Sequence, residues 1–147
     1  MTKPIRVLFV CTGNSARSQM AEAMLRHIGK GRFEVFSGGT APKAEIHPFA
    51  VRALRELGIS MEGQHPKDVA QVAGQSFDYV ITLCERSIER CPAFPGAETM
   101  QWSFADPTGG DPAELAMMKR FHETVVGLER RIRLLAIVEE PKSSGRA

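Results

Sequence analysis

An apolar run, Ile5-Arg6-Val7-Leu8-Phe9-Val10, gives way at Cys11 to Thr12-Gly13-Asn14-Ser15-Ala16-Arg17-Ser18. A helical stripe follows at once, with Ala21, Met24, Leu25 and Ile28 at i, i+3, i+4 and i+7. A strand therefore ends at Cys11 and a helix begins near Ala16, with a Cys-x5-Arg loop between them. Gly13, Asn14 and Ser15 tolerate tight or positive-φ backbone. In such a loop successive amides, here those of Thr12, Gly13, Asn14, Ser15, Ala16 and Arg17, converge on one point, and the helix N-terminus is aimed at the same point. A tetrahedral oxyanion fits there, and the Arg17 guanidinium adds a planar fork of donors across two of its oxygens. The same positive field favours thiolate over thiol at Cys11. A lone cysteine at a strand end is more often a small buried apolar residue. The strand before, the helix after, the glycine within and Arg17-Ser18 at the helix start together favour an anion-binding nucleophile.

The chain has 147 residues, the size of one domain with a real core. Its net charge of +2 gives no argument for nucleic acid or a membrane surface. The apolar run at residues 5–10 is too short for a signal sequence or a membrane span. Three cysteines without a secretory signal point to a reducing cytoplasm, and their spacing lacks the Cys-x2-Cys of a zinc site. Residues 1–138 read as one domain, and the polar stretch 139–147, with Pro141 and Gly145, as a flexible tail. Nothing in the pattern asks for an obligate interface, so a monomer is expected.

The first strand is continuously apolar apart from Arg6, as a central strand covered on both faces should be. The first helix spans 16–28 and ends at Gly29. Residues 33–37 alternate as a second strand, and Gly38-Gly39-Thr40-Ala41-Pro42 reads as a loop. Ile46, Phe49, Ala50, Ala53, Leu54 and Leu57 form a helical stripe closed by Gly58. A weaker helical stretch lies at 69–73, a third strand at 77–83 ending at Cys84, and a polar, helix-capable segment at 85–90. A short fourth strand is expected at 99–104, and a long final helix after Asp111-Pro112, with the aspartate as N-cap. Strands alternating with helices imply an α/β fold, a single doubly wound, four-stranded parallel sheet with helices on both faces. Ligands in such sheets sit beyond the carboxyl ends of the strands. Cys11, Cys84 and Asp106 all lie just past strand ends and can share one rim.

The residues gathered in this way resemble the low-molecular-weight phosphotyrosine phosphatase family and, within it, the thioredoxin-coupled arsenate reductases. The resemblance spans about residues 5–137 and rests on Val10-Cys-Thr-Gly-Asn-Ser-Ala-Arg-Ser-Gln-Met-Ala-Glu22, Ile81-Thr-Leu-Cys84, Cys91-Pro92 and Trp102-Ser-Phe-Ala-Asp-Pro107. It implies a phosphate loop at Cys11 to Arg17, a general acid at Asp106, and Ser18 as a hydrogen-bond partner of the nucleophile. It also implies two distal redox cysteines at Cys84 and Cys91. Some members bind potassium beside the loop, and Asn14, Glu22, Ser37 and Asp68 match those positions. Two departures stand out. Ala16 occupies a position that is cysteine in many of the reductases, outside their catalytic set. Ala105 stands where a further acidic residue is common, which leaves Asp106 as the one candidate acid.

Ester hydrolysis in this arrangement needs a thiolate, an oxyanion cradle and an acid, which Cys11, the loop amides with Arg17, and Asp106 supply. Asp106 alone would pass for a turn residue, since Asp-Pro commonly opens turns. Reduction of arsenate needs two electrons more. The resemblance implies attack by Cys11 on arsenate, attack by Cys84 on the sulfur–arsenic adduct, loss of arsenite, and transfer of the disulfide to Cys84–Cys91 for reduction by thioredoxin. Segment 85–90 would unwind to bring Cys91 out. Phosphate and sulfate are the expected analogues of arsenate at such a loop. The alternatives are a protein-tyrosine phosphatase using only Cys11, Arg17 and Asp106, and a non-catalytic oxyanion sensor. A phosphatase favours aromatic residues near the acid, and here Phe94, Trp102 and Tyr79 leave that wall ambiguous.

Overall fold

A computed structural model describes residues 3–139 of the chain, with nothing said of the side chain of residue 88. The elements run β1 (Ile5–Cys11), α1 (Arg17–Gly29), β2 (Phe33–Gly39), α2 (Pro48–Arg55), a 3-10 turn (Val69–Val72), β3 (Tyr79–Thr82), α3 (Arg86–Arg90), β4 (Glu98–Gln101) and α4 (Glu114–Val138). The sheet is wholly parallel, in the order β2-β1-β3-β4. β1 is therefore central, as its apolar run requires, and its side chains divide by parity. Val7, Phe9 and Cys11 face a large core with residues of α1, α2 and α4, while Leu8 and Val10 face a smaller one with Val69, Val72, Phe77 and Phe94. Among the described residues no helix is long and apolar enough to cross a membrane.

The strands expected at 77–83 and 99–104 shorten to Tyr79–Thr82 and Glu98–Gln101, and three further boundaries move for reasons visible in the contacts. The pair Gly38-Gly39, expected in a loop, completes β2. A Cβ on Gly38 would stand 2.8 Å from Val69 Cα, and one on Gly39 2.6 Å from the Thr12 carbonyl oxygen, so these glycines admit neighbouring backbone. Gly29, expected just past α1, is its last helical residue, and Lys30 takes the left-handed turn at φ 48°. Gly29 is small because a Cβ there would lie 2.4 Å from the Phe33 ring. Asp111, expected as N-cap of the last helix, instead accepts from Ala113 N–H at 3.0 Å, and α4 starts three residues later at Glu114. The expected flexible tail, 139–147, lies outside the described residues except for Glu139. That residue closes α4 and accepts the Tyr79 hydroxyl proton at 2.5 Å.

Candidate active site

The β1–α1 loop is held from outside by the segment that follows β2. Thr40, Ala41, Lys43 and His47 donate their N–H groups to the carbonyls of Cys11, Thr12, Gly13 and Ser15 at 2.9–3.1 Å. Gln19 Nε2 takes the remaining carbonyl, that of Asn14, at 3.1 Å. In a trans peptide the N–H points opposite to the carbonyl before it. With the carbonyls of residues 11–15 all turned outward, the amides of residues 12–16 turn inward, toward the cavity that this loop lines. Asn14 enters the left-handed region at φ 48° to complete the curl, and its amide donates to Cys11 Sγ at 3.3 Å. The N-cap Ala16 makes no side-chain cap and no acidic residue lies in the first turn of α1, so its free N–H groups add to the same field.

Beneath the loop lies a chain of oriented polar groups. Asn14 Oδ1 accepts from Lys67 N–H (2.9 Å) and Gln19 Nε2 (3.0 Å), which fixes its amide so that Nδ2 donates to Ser18 Oγ (2.7 Å) and Ser37 Oγ (3.0 Å). Ser37 passes its own proton to Glu22 Oε1 at 2.6 Å. Ser18 Oγ, already accepting from Asn14, is hydrogen-bonded to Cys11 Sγ at 2.8 Å and has a proton free to donate to a thiolate there. Asn14, Ser18, Gln19, Glu22 and Ser37 are all buried. A buried polar network of this kind fixes the loop only because each member is satisfied.

Three of the positions expected to hold potassium, Asn14, Glu22 and Ser37, meet here with their oxygens engaged, and Asp68 makes no bond to them. The ammonium of Lys67 lies 3.1 Å from Ser37 Oγ and 3.7 Å from Glu22 Oε1, while Arg26 takes the other Glu22 oxygen at 2.5 Å. Asp68 Oδ1 instead caps the 3-10 turn through Ala70 N–H, at 2.8 Å. This donor set already holds a cation of the chain's own and does not fit a potassium ion. Among the described residues no group of three or more His, Cys, Asp or Glu side chains is arranged to hold a metal.

Cys11, Arg17, Cys84, Asp106, Lys43 and Arg86 line one open cavity of about 670 Å³ beyond the strand ends. Arg17 is buried, and one of its Nη1 hydrogens is spent on the Phe104 carbonyl at 2.8 Å, which orients the fork. Asp106 Oδ1 accepts from Thr108 N–H (2.9 Å) and Thr108 Oγ1 (2.7 Å). Burial pushes its carboxyl up, but those two bonds, with the charges of Arg17 and Lys43, hold it below the usual carboxylate range. Cys84 Sγ lies 3.2 Å from Thr12 Oγ1, against the loop itself. Its burial raises the thiol, yet hydrogen bonds from Ser87 and Thr12 and the charge of Arg17 bring it below an ordinary cysteine. Ser87 is fully buried in the first turn of α3, with Oγ on the Cys84 carbonyl at 2.7 Å. It was hidden in the sequence among charged neighbours; only its place three residues after Cys84 marks it.

All three thiols are free. Cys91 does not line this cavity. It follows α3, lines a separate cavity with Phe94 and Met100, and packs on the smaller core. Burial raises its thiol. Segment 85–90, read as polar and helix-capable, forms the short helix α3, which lies between the two thiols in the chain and buries Ser87. Nor do the ambiguous aromatics wall the cavity. Trp102 packs on Phe9 at 5.9 Å, Phe94 lies beside Cys91, and Tyr79 is tied to Glu139. Phe104 turns its ring to α4, where a Cβ on Gly127 would meet it at 2.6 Å.

A family profile described as low molecular weight phosphotyrosine protein phosphatase matches residues 6–144. The chain is 35% identical over 123 residues to the arsenate reductase of Halalkalibacterium halodurans, covering 81% of this chain and 88% of that one. A solved arsenate reductase in its phosphate-binding state superposes with a TM-score of 0.79 at 28% identity, over 91% of this chain and 98% of that one. A thioredoxin-dependent arsenate reductase of Corynebacterium glutamicum gives a TM-score of 0.67 at 30% identity, over 92% of this chain and 65% of that one.

Proposed function

Since this chain belongs to the low molecular weight phosphotyrosine protein phosphatase family, we propose that it is the reductase form of that fold, an enzyme that converts arsenate to arsenite and is recharged by thioredoxin. The observation that carries this reading is the place of Cys84: a thiol held below an ordinary cysteine, 3.2 Å from Thr12 Oγ1, in the cavity of Cys11. A phosphatase has no use for it. The phosphatase reading also lacks an aromatic clamp around the cavity mouth. Arsenate reductases among the relatives and structural neighbours support the same choice.

The loop amides and Arg17 bind the oxyanion, and Cys11 Sγ attacks arsenic. An oxygen leaves as water, protonated by Asp106. A dianion placed against the Asp106 carboxylate raises its proton affinity, which restores the proton its Thr108 bonds otherwise disfavour. Cys84 thiolate then attacks Cys11 Sγ. The S–As bond breaks, its electron pair stays on arsenic, As(V) becomes As(III), and a Cys11–Cys84 disulfide forms. Cys91 thiolate attacks Cys84 Sγ and frees Cys11. That step needs α3 to open, because Cys91 sits in another cavity with its thiol raised by burial. Thioredoxin finally reduces Cys84–Cys91. In this reading the protein works as a monomer in the reducing cytoplasm, residues 1–138 form the catalytic domain, and potassium has no part, Lys67 supplying the cation beside Glu22.

The test is arsenate-dependent NADPH consumption with thioredoxin and its reductase, run beside a phosphate-ester assay. Cys91→Ser should release one arsenite per chain and stall, with mass spectrometry finding a Cys11–Cys84 linkage. Sustained turnover by Cys91→Ser with thioredoxin would end the three-thiol relay and leave the phosphatase as the better reading.

A further inference from the structure

The mechanism leaves Lys43, Glu85 and Arg86 of the cavity lining without a task, and of these Lys43 packs across the loop itself. Lys43, in the segment between β2 and α2, donates its N–H to the Gly13 carbonyl at 2.9 Å. Its side chain then runs across Gly13. A Cβ built there would meet Lys43 Cγ at 3.3 Å, and Cδ and Cε at 3.4 Å each. The stem is thus laid along the loop, and its head belongs to the cavity wall with Cys11 and Arg17. The field of that head reaches both Asp106 and His47. Among the described residues no carboxylate pairs with it. Lys43 is exposed, yet its backbone is anchored and its stem packs across Gly13.

We propose that Lys43 is a second oxyanion-recognition cation, a mobile ammonium at the cavity mouth that captures small tetrahedral dianions and balances the charge Arg17 leaves. The inference rests on the reading of the loop as an oxyanion site. Arg17 is buried and one of its donors is spent on Phe104, so its charge meets the inner oxygens of a bound anion. The Lys43 ammonium, on the wall of the same cavity, is placed to meet an outer oxygen of such an anion. A charged group at the rim of a concave site raises capture more than it alters chemistry.

The experiment is calorimetric titration of the reduced protein with inorganic phosphate at low and high ionic strength, for wild type, Lys43→Gln and Lys43→Arg. Glutamine keeps carbon at the Cγ and Cδ positions across Gly13, lacks Cε and removes the charge. The dissociation constant should rise by about 5- to 20-fold in Lys43→Gln at low salt, most of it recovered by Lys43→Arg. The gap between wild type and Lys43→Gln should narrow as salt is raised. In turnover, kcat/KM should fall more than kcat. Wild-type affinity in Lys43→Gln at low salt, a loss that Lys43→Arg shares in full, or a gap unmoved by salt would each overturn the proposal. Absence of phosphate binding by wild type would instead remove the oxyanion-site reading beneath it.

Discussion

The close approach of Gly39 to the catalytic loop allows activity and stability to be separated by a single methyl group. Gly39 has no positive φ, so alanine suits its backbone, and the only obstacle is space. Its Cβ would lie 2.6 Å from the Thr12 carbonyl oxygen and 2.9 Å from Asn14 Cβ. The first contact is about 0.7 Å inside the closest ordinary C···O approach. Both obstacles are loop backbone or the root of the Asn14 side chain, which cannot rotate aside, so the loop itself must move. Overpacking of this kind costs about 1–3 kcal/mol, or a fall of roughly 2–10 °C in Tm for a chain of this size. The same displacement carries the Thr12 and Asn14 amides off the anion, and a misplacement near 1 Å costs about 100-fold in rate. Gly29→Ala is the matched control. Its Cβ would meet the Phe33 ring at 2.4 Å, at the far end of α1 from the site. Both variants should lose Tm. Gly39→Ala should lose about 10- to 100-fold in single-turnover arsenate reduction, and Gly29→Ala less than about twofold. Equal activity in the two variants would refute the claim that the β2 glycine sets the loop's position.

Thr108→Val removes one of the two bonds that hold Asp106 below the usual carboxylate range, so its proton affinity rises. The basic limb of the pH–kcat profile should move to higher pH, and an unmoved limb would return Asp106 to a turn-forming role. Lys67→Met leaves the buried Glu22 with Arg26 alone and should lose about 1–3 kcal/mol in denaturant melts. Potassium, but not choline, should restore part of that loss in the variant and none in wild type; an equal response in both would mean the site takes the ion despite Lys67. His47 caps α2 by accepting Phe49 N–H at its Nδ1, at 3.0 Å. Burial and the Lys43 charge hold it below the usual histidine value, against the opposing pull of Asp106. A histidine lowered in the folded state binds more protons unfolded, so stability is lost as pH falls from about 6.5. The Tm of wild type should therefore drop more steeply than that of His47→Asn between about pH 7 and 5.5; parallel slopes would detach this histidine from the cap.

The elements and their order were legible because each signal was local. β1 is a six-residue apolar run before a cysteine, and the α1 stripe repeats at helical spacing. The loop residues Cys11 to Arg17 were legible for the same reason: the chemistry and the turn lie in one contiguous stretch. What the sequence hid depends on contacts between distant segments. Gly38 and Gly39 look like loop residues, and only the approach of Val69 and Thr12 makes them strand residues. Glu22 and Ser37 suggested an ion because their cation, Lys67, comes from a segment thirty residues beyond Ser37. Lys43 carries no motif at all; its role rests on lying across Gly13. Cys91 sits close to Cys84 in the chain, but the short α3 carries it into a separate cavity, and that separation has no local mark in the sequence.

The sheet order assigns each thiol a distance from the centre of the molecule. Cys11 ends the central strand, Cys84 follows its neighbour β3, and Cys91 precedes the edge strand β4. In the proposed relay the oxidising equivalent thus travels outward one strand at each exchange, from the most sheltered thiol to the one nearest the boundary of the sheet. A partner protein need never reach the nucleophile, and the reactive adduct need never meet a foreign thiol. A doubly wound parallel sheet lends itself to such a gradient, because successive strands on one half are laid down in the order in which their ends are called upon.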